Sequence, residues 1–116
     1  MRILKWIKRL FRLVKKQSVF YDDMEEYMYN ISNVIEIEYG VSLKDMLNKD
    51  TTILVSRFRH ILIKMLYDQC KNYSKVGKMT NRHHATIMHS IKTSGNLMEY
   101  DREYIKAFRN IEKLLK

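Results

Sequence analysis

The chain has 116 residues, of which 46% are apolar and 11% aromatic, enough for one domain with a hydrophobic core, and this composition excludes an intrinsically disordered chain. It contains no proline and only three glycines, too few turn-forming residues for an antiparallel β protein, so we expect an all-α fold. The formal net charge of +9 favours a polyanionic partner, either nucleic acid or an acidic membrane surface.

Residues 1–40 are predicted to form a helical extension with sharply divided charge. Residues 1–16 contain seven Lys/Arg and no acid, and their apolar residues recur every three or four positions, which predicts a basic amphipathic helix. Residues 17–40 contain six acids and no base, with Ser18 as a candidate cap and Gly40 as a candidate stop of a second helix. The basic helix has three open alternatives: packing on the acidic helix or a partner protein, contact with DNA, or contact with a membrane surface. A homodimer through residues 1–40 also fits this apolar hairpin.

Residues 41–116 form the predicted domain, in which fifteen bases stand against seven acids. Ser42 is a candidate cap for a short helix over residues 43–48. A long helix should follow and run to about Asn72, with Ile53 and Leu54 in its apolar face. Its candidate caps are Asp50, Thr51 and Thr52.

A brief helical turn and a tight connection are predicted between residues 73 and 82. Asn81 can cap the following helix, residues 82–94, and Gly95 can end it. Its expected buried side is Ala85, Ile87, Met88 and Ile91. A last amphipathic helix should begin near Asp101. Together these elements predict about four helices after the extension.

Several classes of protein are not expected. Cys70 is the only cysteine, which excludes an intramolecular disulfide and a cysteine-based zinc site and is typical of a reducing compartment. No stretch matches a transmembrane helix, a secretory signal or a phosphate-binding Gly-x-x-x-x-Gly-Lys-Ser/Thr loop. We therefore expect a non-enzymatic protein without a cofactor, in the cytoplasm.

The most informative segment is Ser74-Lys75-Val76-Gly77-Lys78-Met79-Thr80-Asn81-Arg82-His83-His84-Ala85-Thr86-Ile87-Met88-His89-Ser90-Ile91. It resembles the helix-turn-helix of the C-terminal DNA-binding domain of the bacterial replication initiator DnaA, in which a Gly-containing turn precedes Arg-Asp-His-Ser/Thr-Thr-Val-x-His-Ala. Residues Arg82, His84, Thr86 and His89 stand where that pattern expects them. The resemblance covers residues 49 to 113, and it implies a stand-alone DNA-binding domain that lacks the ATPase module and acts in a bacterial or phage-infected cell.

The resemblance also implies roles for individual residues. His83, His84 and Ala85 stand at base-contacting positions, and Arg82, Thr86 and His89 at backbone-contacting positions. Arg57 fits the start of the long helix, and Lys49 falls where the family has a minor-groove arginine. We also include Ser74, Lys75 and Lys78, which precede the helix, among the expected DNA contacts. Short polar side chains in the first turns of a helix suit base edges in the major groove.

Two positions depart from the family pattern. His83 replaces an acidic residue, and an imidazole offers a base edge different hydrogen-bonding groups from a carboxylate. Ala85 lacks the hydroxyl usual at its position. The histidines do not indicate a metal site, because His84 and His89 are five residues apart and no cysteine or carboxylate stands at ligand spacing.

Two functions follow from these patterns. The favoured one is a sequence-selective duplex DNA-binding protein of replication or transcription that contacts the major groove with helix 82–94. The alternative is a membrane-surface or protein-tethering module that uses the basic helix 1–16, with the helix-turn-helix as a scaffold.

Overall fold

The computed structural model describes residues 23–49 and 52–116, and every regular element in these ranges is an α-helix, which confirms the all-α prediction. The helices are α1 (Asp23–Tyr39), α2 (Leu43–Leu47), α3 (Ile53–Cys70), α4 (Tyr73–Thr80), α5 (His84–Tyr100) and α6 (Arg102–Leu115). The predicted helix over residues 1–16 and the candidate caps Ser18, Asp50 and Thr51 lie outside the described residues.

Local signals in the sequence place several helix ends. Gly40 follows α1 with a φ of +75°, the left-handed conformation that glycine adopts at lowest cost. Ser42 and Asp45 form a reciprocal capping box at α2, with Asp45 N–H donating to Ser42 Oγ over 3.1 Å and Ser42 N–H donating to Asp45 Oδ2 over 3.2 Å. Asp101 caps α6 by accepting from Tyr104 N–H at 3.1 Å. The predicted stop at Gly40, the cap at Ser42 and the start of a helix near Asp101 are confirmed.

A single hydrophobic core includes α1. The long helix α3 lies at the centre and packs against α1, α2, α4 and α5, while α6 packs on α1 and α5. Ile31 and Ile35 of α1 are fully buried in the same core as Leu62 of α3 and Ile111 of α6. The domain boundary expected near Gly40 therefore falls inside a packed unit, and residues 24–35 belong with the helices that follow.

The first turn of α3 is less buried than its sequence predicts. Ile53 and Leu54, expected in the apolar face, are 74% and 56% exposed, whereas Val55 and Ile63 are buried. Val55 lies in the same turn, so neighbouring helices cover only one side of that turn and leave Ile53 and Leu54 in solvent. Periodicity locates the apolar stripe of a helix but not which of its residues the neighbours cover.

Gly95 does not end α5. The helix continues to Tyr100, where Asp101 begins the capping of α6. Ser94 is completely buried and its hydroxyl hydrogen-bonds the phenol of Tyr104, which ties this part of α5 to α6. Burial raises the pKa of Tyr104 to about 12, although the bond to Ser94 opposes the rise. Tertiary contacts thus continue the helix past a residue that usually interrupts it.

Gly95→Ala should raise the free energy of unfolding by about 0.5–1 kcal/mol, because alanine is the better helix former and a Cβ at this position meets no heavy atom within 4 Å. Urea denaturation followed by circular dichroism measures the change. If Gly95 ended the helix in the left-handed conformation, the same substitution would instead destabilise the protein.

His60 joins α3 to α5 through its Nδ1, which lies 2.6 Å from Ser90 Oγ. Burial, and then the neighbouring charges of Arg59 and His89, lower the pKa of His60 to about 4. The folded protein therefore keeps this imidazole neutral above about pH 4, in a structural position between α3 and α5.

This shift predicts acid sensitivity. Because an unfolded chain protonates His60 near pH 6.5 and the folded one only near pH 4, stability should be unaffected above pH 6.5 and should fall between these values, by about 1–3 kcal/mol in total. Denaturation measured at stepped pH tests this. His60→Gln should flatten the dependence of stability on pH in that window. His84→Gln, which changes an exposed imidazole, should leave the dependence as it is in the wild type. An unchanged slope in His60→Gln would contradict the assignment of the acid sensitivity to His60.

Candidate functional site

Helices α4 and α5 are joined by a very tight turn. Asn81 ends α4 in the left-handed conformation (φ 55°), and Arg82 N–H donates to Gly77 O at 2.8 Å. A Cβ built on Gly77 would lie 2.5 Å from the carbonyl oxygen of Arg82, so only glycine allows the chain to return this closely. The prediction that Asn81 caps α5 is wrong: Asn81 closes α4, and His83 caps α5.

The first turn of α5 lies at the surface. His83 Nδ1 accepts from Ala85 N–H at 3.2 Å, which fixes the start of the helix, and the rings of His83 and His84 lie 4.2 Å apart. His83, His84, Ala85 and Thr86 are all exposed. Ile87 behind them is fully buried and anchors the turn to the core.

The burial expected for α5 is only partly correct. Ala85 and Met88, placed in the buried side from their spacing, are exposed, while Ile87 is buried and Ile91 half-buried. Ser90 and Ser94 are buried in their place. Their small side chains let α5 approach α3 and α6 closely, so the buried stripe of α5 is narrower and more polar than hydropathy indicates.

Other predicted residues lie around this turn. Ser74 and Lys78 of α4 line a shallow concave surface together with Gly77, Asn81, Arg82, His83 and His84. Lys75 is half-buried in the first turn of α4. Asn72 caps this helix by accepting from the N–H of Lys75 at 3.0 Å. His89 is exposed one turn after Ala85 on α5. The structure therefore brings together most of the predicted contact residues.

The electrostatic character of this surface is positive. No Asp or Glu occurs between Asp68 and Glu99, a segment that contains all of α4 and most of α5, whereas Lys71, Lys75, Lys78, Arg82 and Lys92 fall within it. The N-terminus of α5 adds the positive end of a helix dipole to the same region. This combination attracts and orients a polyanion.

Arg82, which was expected at the DNA backbone, binds main-chain carbonyl groups of the protein. Its guanidinium donates to main-chain carbonyl oxygens of Asn48 at 2.8 Å, Thr80 at 2.9 Å and Met46 at 3.3 Å, and it lies 3.5 Å from Leu47 O. Burial, and then the nearby charge of Arg59, lower its pKa. Arg82 thus connects the end of α2 to the end of α4.

The contacts of Arg82 at the end of α2 also concern Lys49. It is exposed and directly follows Asn48, whose carbonyl oxygen is the closest acceptor of Arg82. The N–H of Lys49 donates to Asn48 Oδ1 at 2.9 Å. Lys49, more than thirty positions before α5, therefore directly follows a residue that is bound by the arginine two positions before that helix.

Arg57 is the predicted site residue that the structure separates from the others. Its guanidinium forms a 2.6 Å ion pair with Asp101, at the opposite end of α5 from His84. The two ends of this 17-residue helix are about 25 Å apart. Arg57 thus holds α3 to the junction of α5 and α6.

Sequence reasoning did not identify Arg59. Its guanidinium binds the carbonyl oxygens of Met46 and Asn48, at 2.7 and 3.0 Å, eleven or more residues away along the chain. Nothing in its spacing distinguishes it from the other basic residues. The cap Asn72 had a recognisable signal, a short polar side chain just before an apolar periodic segment.

Two further searches cover the described residues only. Within residues 23–49 and 52–116, no cluster of three or more His, Cys, Asp or Glu side chains is arranged to hold a metal ion. In the same part of the chain, no helix combines the length and apolar character needed to cross a membrane.

Comparison with known proteins gives one match. A family model described as the bacterial DnaA protein helix-turn-helix matches residues 28–93, which include most of α1, all of α2, α3 and α4, and the first ten residues of α5. No curated protein and no solved structure matches the chain. The family match begins inside α1, in agreement with the packing of that helix in the common core.

Proposed function

This chain belongs to the bacterial DnaA helix-turn-helix family of DNA-binding domains, and on that premise we propose that it binds duplex DNA sequence-selectively as a non-enzymatic factor in replication or transcription. The observation that carries the proposal is the exposed first turn of α5 within a segment, residues 69–98, that contains five Lys/Arg and no acid. A helix end of this kind enters the major groove with its first residues facing base edges.

The proposed roles follow from where each side chain lies. His83, His84 and Ala85 are exposed at the tip of the helix and face the bases, where His84 can bond a purine edge and the Ala85 methyl can meet a thymine methyl. Thr86, His89, Ser74, Lys75 and Lys78 surround this tip and contact phosphates. Lys49 approaches the DNA from the side of α2.

The test is a selection from a random duplex library with the purified full chain, followed by affinity measurements on the selected duplex and on one of mixed sequence. His84→Ala should weaken binding to the selected duplex by about 1–3 kcal/mol and change binding to mixed sequence little. Lys78→Ala should weaken both and reduce the slope of log affinity against log salt by about 1.

The matched control is Lys106→Ala, which removes an exposed lysine of α6 on another part of the surface. It should change neither affinity nor salt slope beyond the effect of net charge. Failure of the wild-type chain to bind any duplex at near-physiological salt would contradict the proposal, as would equal losses in the Lys78 and Lys106 variants.

A further inference from the structure

Two arginines from different parts of the chain bind the same main-chain carbonyl groups. Arg59 of α3 donates from Nε to Met46 O at 2.7 Å and from Nη2 to Asn48 O at 3.0 Å. Arg82, which precedes α5, donates from Nη2 to these same two oxygens at 3.3 and 2.8 Å. We call Arg59 and Arg82 the arginine pair.

The acceptors are groups that a helix cannot satisfy by itself. The α2 helix has only five residues, and the last carbonyl groups of a helix lack intrahelical partners. A helix this short is unstable without outside contacts. The planar fork of a guanidinium holds several acceptors in fixed directions, so the arginine pair gives the end of α2 a defined position.

The same bonds connect α2 to the turn before α5. Arg82 Nη1 also donates to Thr80 O at 2.9 Å, so one guanidinium spans the ends of α2 and α4. Arg59 connects the end of α2 to the central helix α3, on which it lies. Helices α2 and α3 and the turn before α5 therefore meet at the carbonyls of Met46 and Asn48, and the exposed Lys49 follows directly.

We propose that the arginine pair consists of positioning residues that hold Lys49 beside the first turn of α5, so that both contact one DNA site together. The proposal rests on the proposed function. A lysine on an unfixed segment loses conformational freedom when it binds, whereas one fixed beforehand binds with less entropic cost. Arg59 acts through Lys49 in this scheme and touches no DNA.

Arg59→Lys is the variant that tests this role, because lysine keeps the charge and loses the fork. Duplex affinity is measured for wild type, Arg59→Lys, Lys49→Ala and the double variant, on the selected duplex. Lys49→Ala should weaken binding in the wild-type background and have an effect about threefold smaller, or less, in the Arg59→Lys background. Lys78→Ala is the control, and it should lose the same factor in both backgrounds.

A second measurement does not depend on DNA. Amide hydrogen exchange of Asn48, whose N–H donates to Lys44 O at 3.0 Å, should be faster in Arg59→Lys than in the wild type, while amides in the middle of α3 keep their protection. This separates a loosened α2 from a general loss of stability, which would accelerate exchange throughout the core.

Each result is decisive. Equal effects of Lys49→Ala in the two backgrounds, or no effect in the wild type, would overturn the positioning role. Unchanged exchange at Asn48 in Arg59→Lys would overturn the structural role of the pair. If the wild type binds no duplex, the proposed function fails and the role of Lys49 fails with it, while faster exchange at Asn48 would still show that the pair orders α2.

Discussion

Replacing Arg82 with alanine should lower the free energy of unfolding by about 1–3 kcal/mol, because it removes charge-assisted hydrogen bonds, some of them partly buried, that join the ends of α2 and α4. An arginine that only contacts DNA phosphates would change the stability of the free protein by no more than about 0.5 kcal/mol. The two roles therefore differ in the absence of DNA.

The measurement for Arg82→Ala is urea denaturation of the free protein, monitored by the helical circular dichroism signal. Lys78→Ala is the control, since Lys78 is exposed on the same basic surface and should leave stability nearly unchanged. Arg82→Lys should recover little of the loss, because a single ammonium cannot bind carbonyls of both α2 and α4 in the same geometry. Equal stability of the Arg82 and Lys78 alanine variants would contradict the structural role.

Gly77→Ala should destabilise the helix-turn-helix by about 1–3 kcal/mol, the typical cost of adding a methyl group to a filled site. The added Cβ would meet the main-chain oxygen of Arg82 at 2.5 Å, and neither atom belongs to a flexible side chain. The turn would have to open, which would displace His83 and His84 and weaken duplex affinity as well. Both are measured on the same variant.

Gly95→Ala is the matched control for this substitution. It makes the same chemical change within a helix, but in open space, so the intrinsic preference of alanine for helices should dominate. Opposite signs of the stability change at positions 77 and 95 are expected. If both variants were stabilised, the close approach of residue 82 to α4 would be incorrect.

Much of the secondary structure follows from short-range patterns. The stop at Gly40, the cap at Ser42 and the helix start near Asp101 all depend on hydrogen bonds or backbone angles within four residues, so sequence reasoning located them. The helix-turn-helix was recognisable for the same reason, since its motif is contiguous. The one wrong cap in this segment was a choice between two nearby residues. Asn81 and His83 are both suitable caps for α5, and only the closure of α4 by Asn81 decided between them.

The candidate site was partly predictable. The family-like motif identified the exposed residues His83, His84 and Thr86, because their spacing in one helical turn is a property of the sequence. The motif did not reveal that Arg57 pairs with Asp101, and the apolar periodicity wrongly placed Ala85 and Met88, which face solvent, on the buried side of α5. Those outcomes depend on which helices cover which part of α5.

By itself, then, the sequence determined an all-helical chain, most of its helix ends and the location of the basic helix-turn-helix. Only the tertiary structure decided that α1 belongs to the core, that α5 continues past Gly95, and that Arg82 binds carbonyl groups 34 to 36 residues earlier in the chain. The physical reason is range: capping and periodicity act within a turn or two of helix, whereas a guanidinium finds its acceptors only after distant segments have packed together.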